Sequence, residues 1–90
     1  MSRLDKLLLR VLSGNADASI RFADLRRLLE RLGFARRVRG SHHVFAKAGI
    51  AGIINLQEES GVAKPYQVRQ VRRILLRYRL TTLNQDAHDE

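Results

Sequence analysis

Apolar residues in the first third of this chain follow the three- and four-residue spacing of amphipathic helices. The first stripe consists of Leu4, Leu7, Leu8, Val11 and Leu12. The second stripe consists of Phe22, Leu25, Leu28, Leu29 and Leu32. Each stripe would cover one face of a helix, so the spacing predicts helices over 3–12 and from about 22 to 32.

Local start and stop signals mark the ends of these two helices. Ser2, followed three residues later by Asp5, resembles a capping box. Gly33 suits the left-handed residue that ends the second helix. The small polar residues 15–19 predict a connector between the helices.

The middle of the chain changes to short runs that favour strands. Residues 34–39 and 42–47 are separated by Gly40-Ser41, which is typical of a hairpin turn. A third strand is predicted over 53–57. Pro65 then begins a helix from about 66 to 78, since proline is tolerated in the first helical turn.

The element order predicts an α+β fold: a small three-stranded antiparallel sheet with helices on one face. Residues 1–20 form an N-terminal helical extension, and 21–80 form the main domain. That domain has the α-β-β-β-α layout that double-stranded-RNA-binding domains also use. The acidic tail 81–90 is predicted to be disordered.

Positive charge is concentrated in two segments of a chain with a formal net charge of +8. Residues 21–40 carry seven arginines against Asp24 and Glu30, and residues 64–80 carry Lys64 and five arginines without any acid. Arginine binds phosphate oxygens with two parallel donors, so this pattern favours nucleic acid. An acidic protein partner would explain the charge equally well.

Composition excludes several classes of site. The chain has no cysteine, so it can form neither a disulfide nor a thiolate metal site. The leucine run near the N-terminus is too short and too charged to cross a membrane, and we expect a cytoplasmic protein with no membrane association.

The adjacent pair His42 and His43 carries the candidate chemistry. A strand would point the two side chains to opposite faces, and if Phe45 is a core residue, His43 shares its inward direction. A core at Val44 would reverse the assignment. Two adjacent histidines are poor ligands for one ion, so no metal site is predicted. The remaining interpretations are a structural histidine and a histidine that transfers protons at a phosphodiester.

Four segments together resemble the HicA family of toxins. They are Leu-Gly-Phe (32–34), Arg-Gly-Ser-His-His-Val-Phe (39–45), Asn-Leu-Gln (55–57) and Ala-Lys-Pro-Tyr-Gln-Val-Arg-Gln-Val (63–71). The resemblance covers about 22–80, whereas 1–20 is an addition to the family pattern. It implies a small mRNA interferase that cleaves RNA without a metal or other cofactor and is neutralised by a HicB-like antitoxin.

The resemblance also implies roles for individual residues. The motif histidine falls on His42, with His43 as the second candidate, and both are expected to lie at the catalytic site. Gly40 and Ser41 would shape the turn before it. Together with the two basic segments, the motif makes Arg39, Lys64, Arg69 and Arg73 the expected phosphate-binding residues, so the expected substrate-binding set is Arg39, Gly40, Ser41, Lys64, Arg69 and Arg73. The partners implied are RNA and the antitoxin, and the oligomeric state stays open.

Overall fold

A computed structural model describes residues 2–81 of the chain. Within them the chain is a small α+β unit with three α-helices and one three-stranded antiparallel sheet. The helices are α1 (Arg3–Ser13), α2 (Phe22–Arg31) and α3 (Pro65–Arg77). The strands are β1 (Ala35–Arg39), β2 (His42–Ala46) and β3 (Ile54–Gln57), arranged in that order across the sheet. The predicted tail 81–90 lies, apart from its first residue, outside the described part.

The predicted elements are confirmed to within one or two residues at their ends. Ser2 and Asp5 form the predicted capping box, in which each side chain accepts a hydrogen bond from the other residue's backbone N–H at 3.1 Å. Gly33 has the predicted left-handed backbone, with φ of 100°. One element was missed: the connector contains a single 3-10 turn, Asp17–Ser19.

The helices cover one face of the sheet. Phe45, Ile54 and Leu56 point to this face and are buried together with the apolar stripes of all three helices. On the opposite face, the side chains of β2 and β3 are exposed or half-buried. β1 is an edge strand and is exposed along its whole length. The sheet therefore has an open face, defined here as the side that carries His42.

Helix α1 belongs to this core. Leu7, Leu8 and Val11 are at most 5% exposed. Arg10 also donates hydrogen bonds to the carbonyl and hydroxyl oxygens of Ser19, which holds α1 against the turn that follows it. The predicted N-terminal extension is therefore packed against the rest of the fold.

Candidate nucleic-acid interface around His42

A two-residue turn, Gly40-Ser41, joins β1 to β2 and places the histidine pair at the start of β2. Gly40 has φ of 58°, whereas Ser41 does not have a positive φ. A positive φ at the first turn position alone is typical of the type II′ turn, which prefers glycine there. A Cβ atom at Gly40 would meet nothing within 4 Å, so backbone conformation, not crowding, favours glycine.

The strand register decides which histidine faces the core. His43 pairs with Val38 on one side and Leu56 on the other, and Phe45 shares its direction. His43 is 6% exposed, and Phe45 is fully buried. His42 is exposed on the open face, as expected if Phe45 is the core residue.

His43 is enclosed by protein groups. The ring of Phe22 lies against its imidazole in an edge-on arrangement, with centroids 4.8 Å apart. Its Nδ1 lies 3.2 Å from Nη1 of Arg36, and its Nε2 lies 3.4 Å from Oε1 of Glu58. A guanidinium can only donate, so Nδ1 is the acceptor, and in the neutral ring Nε2 carries the proton that faces the carboxylate. Both nitrogens of His43 therefore have protein partners.

The contacts of His43 continue, through Arg36, into two successive ion pairs. Nε of Arg36 lies 2.8 Å from a carboxylate oxygen of Glu30, and Glu30 also accepts from Arg26 one turn earlier on α2. These side chains are about one third exposed, so each pair contributes modestly to stability. These contacts join α2, β1, β2 and the residue after β3. They hold the side chain of His43 on the helix-covered side of the sheet, which indicates a structural role.

His42 has a different environment on the open face. The register places Arg39 directly opposite it on β1 and Gln57 directly opposite it on β3. The neighbouring row on the same face consists of Arg37, Val44 and Asn55. None of the three strands contains an acidic residue. His42 thus lies on a surface whose charges, in the strands, are all positive.

Three residues of this face were missed by sequence reasoning: Arg37, Asn55 and Gln57. The two-residue period of a strand was the signal that could have found Arg37. Arg37 has the same parity as Arg39, so both point to the open face once β1 is recognised. Asn55 and Gln57 required the register between β2 and β3, which the sequence does not give.

The structure brings together the predicted substrate-binding residues near the turn, and it places Lys64 at the start of α3. Arg39, Gly40 and Ser41 adjoin His42, and the carbonyl of Ser41 accepts a hydrogen bond from the backbone N–H of Glu58 at 2.9 Å. Lys64 precedes α3, and its Nζ lies 2.6 Å from the carboxylate of Glu59. That hydrogen bond and charge raise the pKa of Lys64.

Arg69 and Arg73 lie on the exposed side of α3, in the layer of helices. The sheet face that carries His42 is turned away from this layer. The pKa of Asp17 is lowered chiefly by its hydrogen bond from Arg72, and the charge of Arg69 contributes in the same direction, so Arg69 acts on this carboxyl. The structure therefore does not gather Arg69 and Arg73 around His42.

A groove of about 670 Å³ lies elsewhere, between α1 and α2. Its charged lining consists of Arg3, Lys6, Arg10, Asp24 and Arg27. No strand residue lines it, so this groove and the histidine pair occupy different parts of the molecule.

Neither the described part of the structure nor comparison with known proteins identifies a membrane span, a metal site or a family. Among residues 2–81 no helix has the length and apolar character to cross a membrane, and no three metal-ligating side chains cluster there. Searches against protein-family models, curated proteins and solved structures find no match to this chain.

Proposed function

We propose that this protein is a HicA-like toxin, a metal-independent mRNA interferase that uses His42 as its general acid or base. The order α2-β1-β2-β3-α3 supports it, because this is the layout of the double-stranded-RNA-binding fold. The motif residues around the β1–β2 turn supply the family resemblance.

The observation that carries the proposal is the position of His42 on the open face. Its side chain is exposed, lies opposite Arg39 and has no acidic residue in the strands around it. A phosphodiester could approach this surface, where arginine attracts phosphate and imidazole exchanges protons near neutral pH. Positioned proton transfer of this kind accelerates a reaction by roughly two to four orders of magnitude.

The chemistry follows from these groups. The ribose 2′-oxygen attacks the neighbouring phosphorus, a 2′-O–P bond forms, and the P–O bond to the 5′-oxygen of the next nucleotide breaks. His42 either accepts the proton of the 2′-hydroxyl or donates one to the departing 5′-oxygen, and water exchanges the other proton. Arg39 stabilises the charge on the phosphate. The products are a 2′,3′-cyclic phosphate and a 5′-hydroxyl.

His43, the second catalytic candidate, fits this role less well. It is 6% exposed, and its two nitrogens lie near Arg36 and Glu58. A polymer cannot reach a ring enclosed in this way without local opening. We therefore assign the catalytic role to His42 and a structural role to His43.

The proposed partner is a HicB-like antitoxin that covers the RNA-cleaving surface. The positive charge of the open face supports an acidic partner as well as RNA. A non-catalytic nucleic-acid-binding or protein-interaction module is the second candidate function. Arg37 and Arg39 favour it, because they could bind phosphate without any proton transfer.

RNA integrity in EDTA tests the proposal. Purified parent should cleave RNA and leave cyclic phosphate ends, and His42→Ala should lose cleavage while circular dichroism shows an unchanged fold. Lys47→Gln changes a charge just after β2 and serves as a control for the preparation of variant proteins. It should keep cleavage. Intact RNA with folded parent protein would reject the nuclease and leave the binding module.

A further inference from the structure

We propose that Gln57 is a further substrate-binding residue, whose side-chain amide holds the scissile phosphodiester beside His42. This inference rests on the proposed function and adds a residue to its site. The β2–β3 register sets Gln57 directly opposite His42 on the open face. Cβ atoms of directly opposed residues in antiparallel strands lie ~4.5–5.5 Å apart. One phosphodiester can therefore contact both side chains.

The backbone of Gln57 is held on both sides. Leu56 before it is fully buried, and Glu58 after it donates its backbone N–H to the carbonyl of Ser41 at 2.9 Å. Pairing between β3 and the hairpin thus continues past Gln57 into the turn. Gln57 is half-buried, whereas Asn55 on the same strand is exposed. The backbone at Gln57 is therefore fixed in place beside His42.

The side-chain amide of Gln57 supplies a pair of uncharged N–H donors, which neither Arg39 nor His42 does. Arg39, His42 and Gln57 form a cross-strand row with the imidazole in the middle. Arg39 brings a positive charge, and Gln57 brings two uncharged N–H donors on the other side. A phosphate above His42 can accept from Arg39 through one non-bridging oxygen and from Gln57 through the other. The row then holds the phosphate from two directions.

Two matched charge changes on β3 test this role. Gln57→Glu replaces the donors by a carboxylate of the same shape, and Asn55→Asp makes the same change in net charge one row away on the same face. We expect kcat/KM for RNA cleavage to fall by a factor of about 30 or more in Gln57→Glu, and by no more than about three in Asn55→Asp. Gln57→Ala should lose about tenfold, the scale of one hydrogen bond to a charged group.

Affinity for a non-cleavable 2′-O-methyl RNA separates this inference from the proposed function. Gln57→Glu should weaken binding of that RNA more than Asn55→Asp does, with circular dichroism confirming that both variants are folded. Equal losses in the two variants, in cleavage and in binding, would overturn the role of Gln57 even if the parent is a nuclease. A parent that binds but never cleaves, with Gln57→Glu selectively impaired, would reject the nuclease and retain Gln57 as a phosphate contact.

Discussion

The guanidinium of Arg72 binds the carboxylate of Asp17 through both terminal nitrogens, at 2.8 and 3.1 Å. The same group donates to the carbonyl of Val11 at 3.1 Å, near the end of α1. Both side chains are less than one fifth exposed. One arginine on α3 thus holds the end of α1 and the 3-10 turn, which lies 55 residues earlier in the chain.

Replacing Arg72 should destabilise the protein. Arg72→Met keeps most of the apolar stem but removes the donors to Asp17 and Val11, leaving a mostly buried carboxylate without its partner. We expect the free energy of unfolding to fall by about 1.5–3 kcal/mol, as for other hydrogen bonds to charged groups. Urea denaturation measures it, with Arg73→Met at the adjacent exposed position as the control. Similar losses in the two variants would contradict the role of this contact.

The Asp17 pair should make stability depend on acid pH. The hydrogen bond and charge of Arg72 lower the pKa of Asp17 below its usual value of 3.8. A carboxyl whose pKa is lowered in the folded state stabilises the fold above its unfolded pKa, and this contribution is lost as pH falls through the folded value. We therefore expect Asp17→Asn to be less stable than the parent at pH 7.

The difference between parent and Asp17→Asn should shrink steadily as pH is lowered below about 5. Urea unfolding of both proteins at a series of pH values measures this convergence. A constant difference between the two proteins across that range would show that the charge of Asp17 is not responsible.

Alanine replacement should destabilise the protein strongly at His43 and hardly at all at His42. His43→Ala removes a buried ring from Phe22 and leaves Arg36 and Glu58 without their common partner. We expect a loss of about 2–4 kcal/mol, within the range for large buried side chains. His42→Ala, on the open face, should change stability by less than about 0.5 kcal/mol. Equal losses in thermal or urea unfolding would contradict the assigned roles.

RNA binding by the open face should depend on salt through Arg37 and Arg39. Each phosphate neutralised by a cation releases counterions, so log K falls as log salt rises, and replacing a contacting arginine decreases the magnitude of this negative slope by about 1. Arg39→Gln should show this decrease in fluorescence anisotropy titrations. Arg77→Gln, on α3, should leave the slope unchanged. A loss confined to Arg77→Gln would place the RNA on the helices and not on the sheet.

Much of the secondary structure was readable from the chain because its causes are local. The apolar stripes of α1 and α2, the Ser2–Asp5 capping box and the glycine at the first turn position each act within a few residues. The 3-10 turn at Asp17 was missed: its closing hydrogen bond, from the Ser19 N–H to the carbonyl of Ala16, is local, but the contact that fixes the turn to the fold comes from Arg72 on α3. No neighbouring residue signals that contact.

The candidate site also combines features that have local causes with features that depend on distant residues. The histidine pair, the turn before it and the opposite directions of two adjacent side chains in a strand all follow from neighbouring residues. Long-range packing placed His43 against Phe22 on the helix-covered side of the sheet and His42 between Arg39 and Gln57. It also separated Arg69 and Arg73 from that row. Parity within one strand is a local property, but register and layer depend on which distant segments pack together.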